Sequence, residues 1–320
     1  MPLLSEIMGT DAPGTIVVGA PEDMQWFTKP KKRVHLFALG DVGSLLLTGL
    51  VLMGGDCISE IGIYDVRDHV GDRFEFEMNQ MRDGAGSVST VPVRVINEEE
   101  LFNCDVFLFC ASLRVPPVGE GGDVRMAQFE ANGGLVRKIA SQAVQKGYEG
   151  LFCVVSDPVD PLCQEVMKSG IRPARVKGYG LGVMNARAAY FAGKDARFAS
   201  YLKDGRAYGP HGQDLVIVNS LSQYDPKLSR ELTSLTVEAN MVMRGWGFKP
   251  YMAPAISSGA FSILATLRGD WHYSSQAFGR VYFGARNRVT SSGIEVENVD
   301  LPEEAFLRCQ TAYRNLEKLL

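Results

Sequence analysis

The sequence predicts an α/β fold in which a doubly wound parallel sheet precedes a second, mixed lobe. Short apolar runs alternate with helical patterns from Val34 to Val155, which is typical of strands joined by crossover helices. The run Val34–Leu39 is almost wholly apolar, as in a strand covered by helices on both faces. After Val176 longer helices mix with strand-like segments. We therefore expect a Rossmann-type nucleotide-binding domain at 33–175 and a mixed α+β catalytic domain at 176–320, preceded by an arm at 1–32.

The individual elements follow from the same patterns. In the first lobe we expect strands at 34–39, 61–66, 91–95, 106–110 and 151–155, with helices at 43–53, about 72–81 and 124–146. In the second lobe we expect helices near 184–192, 227–246, 255–267 and 302–320, with strands at 215–219 and between 281 and 299. The segment 1–32 is rich in glycine and proline. We expect it to be an extended arm that packs on a neighbouring subunit or is partly disordered.

The stretch Val34–Asp65 has the order strand, glycine turn, helix, strand and acid that a dinucleotide-binding unit requires. Gly40 allows a tight turn, and Gly43 lets the helix start close to the strand and to a pyrophosphate. The unpaired N–H groups at the helix start suit phosphates. Asp65 can accept ribose hydroxyls and would repel a 2′-phosphate, so NAD is favoured over NADP. Ala38 replaces the usual first glycine, which is tolerable if its φ stays negative.

Composition and charge argue against several classes of protein. The formal charge is −4 and no Lys/Arg-rich run is longer than 29–33, so a nucleic-acid partner is not expected. The six cysteines are scattered, with no C-x-x-C and no histidine pair at metal-ligand spacing, which predicts free thiols and no metal. The chain has no signal-peptide pattern, and its longest apolar helix candidate, Leu45–Met53, is too short to cross a bilayer. We expect a cytoplasmic protein with no membrane partner.

One histidine of the four is a candidate for proton transfer. His211 is flanked by glycines in YGPHGQD, on a turn that leads into a strand, so its imidazole could project into a cleft between the lobes. A histidine there can exchange the proton that accompanies hydride transfer. A purely structural turn histidine is the alternative interpretation.

Three arginines are candidates for holding an anionic substrate. Arg114 opens a Pro/Gly-rich loop after the strand 106–110, Arg125 begins the next helix, and Arg187 lies on the first helix of the second lobe. A guanidinium holds a carboxylate by two parallel hydrogen bonds. Each arginine alone is more typical of a solvated surface, but together they indicate a dicarboxylate or a similarly anionic substrate. The glycines of the loop favour a hinged lid or a larger pocket, and a tolerated surface insertion is the alternative.

The order of segments from Val34 to Leu320 resembles the lactate/malate dehydrogenase family. The motifs that carry the resemblance are ALGDVG, IYD, LRVPPVGEGGDVRMAQFEAN, VVSDPVDPL, GLGVMNARAAY and GPHGQD. The resemblance implies NAD as the cofactor, a homodimer or homotetramer, and a set of cofactor contacts. Those expected cofactor contacts are Gly40, Asp41, Val42, Gly43, Asp65, Ala111, Ser112 and Ser156.

The same resemblance implies roles for the candidate site residues. His211 would donate and accept the proton, Arg187 would bind the reacting carboxylate, and Arg125 would polarise the carbonyl on loop closure. Arg114 falls at the substrate-selecting position, where arginine resembles the malate type. Asn132 ends the family's loop helix and is expected among the substrate-binding residues.

Two positions depart from the family pattern. Met184 stands where the family has the aspartate that hydrogen-bonds the catalytic histidine, and Asp157 stands where it has a substrate-facing asparagine. Methionine cannot offset imidazolium charge, and an ionised carboxylate cannot donate a hydrogen bond to a substrate oxygen. One hypothesis is that Asp157 pairs with His211 in place of the missing acid and so becomes catalytic. The alternative is a pocket that has drifted from malate or lactate oxidation.

The leading functional prediction is an NAD-dependent oxidoreductase that transfers a hydride between nicotinamide and C2 of a 2-hydroxy or 2-keto acid with a second anionic group. A non-catalytic NAD(H)-binding relative, acting in sensing or assembly, is the main alternative. The NAD-dependent glycosidases share a related fold but, as that resemblance implies, need a Cys/His-bound divalent metal. The second lobe offers only His211, His272 and Cys309 for such a site.

Overall fold

The computed structural model describes residues 1–10, 13–82, 90–113 and 124–320. Within these residues a ten-stranded sheet is flanked by helices, and a separate two-stranded sheet stands beside it. The strands are β1 (Ile16–Val18), β2 (Lys32–Phe37), β3 (Ile58–Tyr64), β4 (Val93–Val95), β5 (Val106–Phe109), β6 (Leu151–Val154), β7 (Val176–Gly178), β8 (Arg206–Tyr208), β9 (Val216–Val218), β10 (His272–Phe278), β11 (Val281–Thr290) and β12 (Gly293–Val296). The predicted α/β, Rossmann-type fold is confirmed.

The helices lie mostly where the apolar periodicity predicts them. They are α1 (Asp41–Met53), α2 (Val70–Met78), α3 (Val124–Gln145), α4 (Val159–Lys168), α5 (Leu181–Lys194), α6 (Tyr201–Asp204), α7 (Pro226–Gly245), α8 (Ser262–Arg268) and α9 (Glu303–Glu317). A π-helical segment, Pro254–Phe261, leads directly into α8. Shorter 3-10 helices span Leu4–Met8, Pro21–Thr28, Glu98–Glu100, Pro173–Arg175 and Ala196–Phe198.

The sheet has a parallel half and an antiparallel half. The parallel half has the order β4-β3-β2-β5-β6-β7, and β2 is buried at every position except Arg33. At Gly178 β7 pairs with Ser275 of β10, where the antiparallel strands β10, β11, β12 and β1 continue the sheet. The carboxyl ends of the parallel strands therefore lie at one edge, where open α/β sheets bind ligands.

The N-terminal segment packs on its own chain, which corrects the prediction of an extended arm. β1 pairs with β12, with Ile16 opposite Val296. Leu4 is fully buried in the cluster formed with α9 and β11, and Met24 is fully buried in the core beneath the parallel strands. Asp23 is buried and its Oδ1 lies 2.9 Å from Arg172 Nε. The apolar side chains between the glycines drive this packing, although the glycine and proline content dominated the interpretation of the sequence.

A buried polar cluster lies where the two halves of the sheet meet. Lys177 Nζ donates a 2.6 Å hydrogen bond to Asn287 Oδ1, and burial lowers the pKa of Lys177 to about 7. His272 begins β10, where its Nε2 lies 2.9 Å from Thr266 Oγ1. Burial lowers the pKa of His272 to about 3, so this imidazole is neutral and structural.

Candidate active site

The glycine turn between β2 and α1 forms the first part of the site. A Cβ at Gly43 would lie 2.1 Å from the Ala38 carbonyl oxygen, so only glycine lets α1 start this close to the strand. A Cβ at Gly40 would meet open space. The first N–H groups of α1, from Asp41, Val42 and Gly43, have no partner within the helix and are therefore available to a pyrophosphate. The turn thus fits the phosphates of NAD.

Ala38 does not meet the condition under which alanine was expected to be tolerable. Its φ is +79°, in the left-handed region that favours glycine. Its N–H donates to the Tyr64 carbonyl at 2.8 Å, which ties the strained residue to β3. Alanine in this conformation costs about 1–2 kcal/mol relative to its ordinary backbone.

The predicted ribose acid, Asp65, is already bound within the protein. Its carboxylate accepts the Leu39 N–H at 2.7 Å and the Arg67 Nε–H at 2.8 Å, and its side chain is 3% exposed. Burial acts to raise its pKa, but the hydrogen bonds from Arg67 and Leu39 outweigh that effect and lower the pKa to about 2. No pattern around Asp65 indicates that Arg67 covers this carboxylate.

The ends of β5 and β6 meet at the next predicted cofactor contacts. Ser156 Oγ donates a 2.6 Å hydrogen bond to the Ala111 carbonyl, so this side chain joins the two strand ends. Ser156 and Ala111 are buried, whereas Ser112 is exposed beside them. From the second lobe, Lys249 places its Nζ 3.2 Å from Asp41 Oδ2, which brings a positive charge to the phosphate turn.

His211 and Asp157 form a close pair in the second part of the site. His211 lies on the turn between β8 and β9, and its Nδ1 is 3.3 Å from Oδ1 of Asp157, which follows β6. The His211 side chain is 15% exposed, and that of Asp157 is 48% exposed. His211 Nε2 is buried and has no hydrogen-bond partner in the part of the chain that the structure describes. The pair leaves this nitrogen for a substrate oxygen.

Close packing fixes the position of the His211 turn. A Cβ at Gly180, at the start of α5, would lie 2.8 Å from the His211 Cβ, so glycine is required there. Asp160, on α4, is a site residue that the sequence analysis missed. It is buried and accepts a 2.5 Å hydrogen bond from Ser275 Oγ. Burial raises the pKa of Asp160 to about 6, against the opposing effects of Ser275 and His211.

Arg187 and Met184 occupy one face of α5. Arg187 Nη2 donates to Asn240 Oδ1 of α7, a second contact that the sequence did not indicate. Met184 is buried, with its Sδ 4.0 Å from Arg187 Nη1. Desolvation lowers the pKa of Arg187, and the nearby negative charge of Asp157 opposes this shift. A cation for a carboxylate and the His211–Asp157 pair therefore lie in one site.

Asn132 connects two segments of the site through its side-chain amide. It is fully buried, its Oδ1 accepts the Leu113 N–H at 2.9 Å, and its Nδ2 donates to the Asp157 carbonyl at 2.8 Å. Because the protein uses both ends of the amide, this arrangement favours a positioning role over the expected substrate contact. Arg114 lies outside the described residues. The backbone of Arg125 belongs to α3, but its side chain is likewise outside the description.

Residues 1–10, 13–82, 90–113 and 124–320 contain no group of three or more His, Cys, Asp or Glu side chains placed to hold a metal ion. In the same part of the chain, no helix combines the length and apolar character needed to span a membrane.

Residues 32–178 match the family described as "lactate/malate dehydrogenase, NAD binding domain". This range is similar to the NAD-binding domain of the lactate/malate dehydrogenase family and covers less than half of the chain. The predicted resemblance to this family is confirmed in this range, and the cofactor is NAD. The matched range covers the glycine turn, Asp65 and the Ser156 contact.

Among curated relatives, the L-lactate dehydrogenase of Staphylococcus epidermidis is 27% identical over 219 residues, which are 66% of each protein. The L-lactate dehydrogenase 2 of Staphylococcus aureus is 26% identical over 183 residues, or 57% of this chain and 54% of that protein. The chain thus spans less than two thirds of the length of these relatives.

Solved structures show the same fold at low identity. The minor L-lactate dehydrogenase of Enterococcus mundtii has a TM-score of 0.75 at 18% identity, covering 91% of this chain and 98% of that one. The malate dehydrogenase of Archaeoglobus fulgidus in complex with NADH has a TM-score of 0.73 at 18% identity, covering 90% and 98%.

Proposed function

We propose that this protein is an NAD-dependent dehydrogenase that transfers a hydride between nicotinamide and C2 of a 2-hydroxy or 2-keto acid. The single observation that supports this most strongly is the His211–Asp157 pair, with Nδ1 and Oδ1 3.3 Å apart and Nε2 unpartnered. Bound NAD supplies the hydride acceptor, or NADH the donor. The remaining steps belong to side chains of this chain.

In the oxidation direction, His211 Nε2 accepts the hydroxyl proton of the substrate. Asp157 orients the imidazole through Nδ1 and offsets the positive charge that forms on it. Close packing against Gly180 holds the turn, so the imidazole needs little rearrangement as it gains the proton. In the reduction direction the same nitrogen returns the proton to the carbonyl oxygen.

The charges around the imidazole favour an acid with a second anionic group. Arg187 is positioned to bind the reacting carboxylate, but the negative charge of Asp157 is close enough to affect the pKa of Arg187. A single carboxylate bound there also meets the repulsion of Asp157. A second anionic group held by Arg114, at the predicted substrate-selecting position, would offset this cost. A dicarboxylic 2-keto acid is therefore the proposed substrate class.

The test is NADH oxidation across a panel of 2-keto acids with and without a second carboxylate. His211→Gln is expected to abolish turnover while retaining NADH binding. The matched control is His69→Gln, which removes an exposed histidine that pairs with Asp72 at 2.9 Å and lies far along the chain from His211. This variant is expected to turn over like the wild type.

The competing function is a non-catalytic NAD(H)-binding protein of the same family. It is favoured by the buried Met184 in place of the acid that normally partners the histidine. Tight NADH binding with no turnover of any 2-keto acid would support it and refute the dehydrogenase proposal. Turnover by the wild type that is lost in His211→Gln would support the dehydrogenase proposal.

A further inference from the structure

Arg67 covers the carboxylate that was expected to bind the cofactor's ribose. Asp65 Oδ1 accepts the main-chain N–H and the Nε–H of Arg67 at 3.0 and 2.8 Å. Asp65 Oδ2 accepts Arg67 Nη2 at 2.9 Å and the Leu39 N–H at 2.7 Å. A carboxylate has about four lone-pair sites, so these four donors use its accepting capacity.

The two members of this pair differ in exposure. The Asp65 side chain is 3% exposed, whereas the Arg67 side chain is 58% exposed. A ligand that approaches from solvent therefore meets a guanidinium before it meets the carboxylate. An uncovered Asp65 carboxylate would repel a 2′-phosphate. Here the pair is neutral and its outer member is the cation.

The Arg67 guanidinium has further N–H donors that Asp65 does not use. Arg67 Nη2 donates to the Leu39 carbonyl at 3.1 Å, so the group bridges Asp65 and the residue before the Gly40 turn. The two N–H groups of Nη1 make no hydrogen bond with any residue that the structure describes. Guanidinium N–H groups bind phosphate oxygens strongly and with defined geometry.

We propose that Arg67 sets the cofactor preference of this NAD-binding domain and lets it also accept the 2′-phosphorylated cofactor NADP(H), with Arg67 as the phosphate ligand. Binding of NAD(H) requires Arg67 to release the carboxylate to the ribose hydroxyls. Binding of NADP(H) requires no such release, because the phosphate is held by the exposed edge of the guanidinium. The proposal concerns binding alone and stands apart from the proposed reaction.

The experiment compares NADH and NADPH binding to the full chain by fluorescence titration or calorimetry. The variants are Arg67→Ala and, as a matched control, Arg73→Ala, which removes another exposed arginine, 3.5 Å from Glu77 on α2. We expect the wild type to bind NADPH with an affinity of the same order as NADH. Arg67→Ala should weaken NADPH binding by about 10- to 100-fold, as expected for loss of charged hydrogen bonds.

NADH binding should be unchanged or tighter in Arg67→Ala, because the variant frees Asp65 for the ribose. The variant keeps the main-chain donors of residue 67 and Leu39, so the carboxylate stays partly satisfied and the turn should fold. A matching melting temperature checks this, and Arg67→Gln, which keeps a neutral donor, serves as a second variant. The control should bind both cofactors like the wild type.

Two results would overturn the proposal. One is a wild type that binds NADH but not NADPH, with no selective change in Arg67→Ala. The other is an equal loss of both cofactors in Arg67→Ala, which would make Arg67 a structural residue only. Because no turnover is measured, either result leaves the proposed dehydrogenase activity to its own test.

Discussion

Replacing Asp157 with asparagine keeps the shape of the side chain and removes its negative charge. The lost charge lies 3.3 Å from His211 Nδ1. At that distance two unit charges attract by about 1.3 kcal/mol with the permittivity of water and about 5 kcal/mol with an effective permittivity of 20. Because Asp157 is half exposed, we expect the protonated imidazole to lose about 2–3 kcal/mol, which lowers kcat about 30- to 150-fold.

The assay is steady-state NADH oxidation with the best substrate of the 2-keto-acid panel, accompanied by NADH titration. NADH affinity should not change, because the Asp157 carbonyl that Asn132 binds is retained. Asp72→Asn is the matched control, since Asp72 forms another Asp–His pair on the surface. Turnover in Asp157→Asn equal to that of the control would refute the role given to Asp157.

Three further predictions concern stability. Ala38→Gly should raise the free energy of unfolding by about 0.5–1 kcal/mol in urea titrations, because glycine adopts a positive φ without strain; an unchanged midpoint would contradict this. Lys177→Met should stabilise the protein by about 2 kcal/mol at pH 7, because burial disfavours the protonated amine in the folded protein and lowers its pKa to about 7. The gain should shrink towards pH 10, where the amine begins to lose its proton in the unfolded chain too, and Asn287 keeps Ser274 as a donor. Asp160→Asn should stabilise the protein by up to about 3 kcal/mol at pH 8 and little at pH 4. Burial raises the pKa of Asp160 to about 6, so its carboxyl group contributes stability at low pH that is lost as the pH rises through about 6. Equal thermal shifts at both pH values would refute this.

The sequence was sufficient where chemistry depends on segment order. The apolar strand, the glycine turn and Asp65 predicted the position of the NAD site. The family's carboxylate is missing at Met184, and a new one is present at Asp157. This exchange led to the hypothesis that Asp157 pairs with His211, and the Asp157 and His211 side chains lie together. Both inferences depend on which residues follow which strand, and parallel strands bring their carboxyl ends to one edge.

The sequence was insufficient where the structure depends on the direction of a side chain or on the sign of a backbone φ angle. Nothing in IYDVR indicates that Arg67 folds back onto Asp65, because an arginine two residues on could equally extend into solvent. The positive φ of Ala38 is imposed by its hydrogen bond to β3, which is a tertiary contact. The N-terminal segment packs through sparse apolar residues such as Leu4 and Met24, and its many glycines conceal that pattern in the sequence.

The claim that Asp157 has taken over the work of the missing family aspartate is tested most directly by moving the acid back. Met184 lies one turn along α5 from Gly180, which touches the His211 turn. The measurement is kcat of Asp157→Asn/Met184→Asp against Asp157→Asn, with NADH binding retained in both. We predict that the double variant recovers at least about tenfold of the lost turnover, as expected when one carboxylate replaces another beside an imidazolium. A folded, NADH-binding double variant no faster than Asp157→Asn would contradict the account.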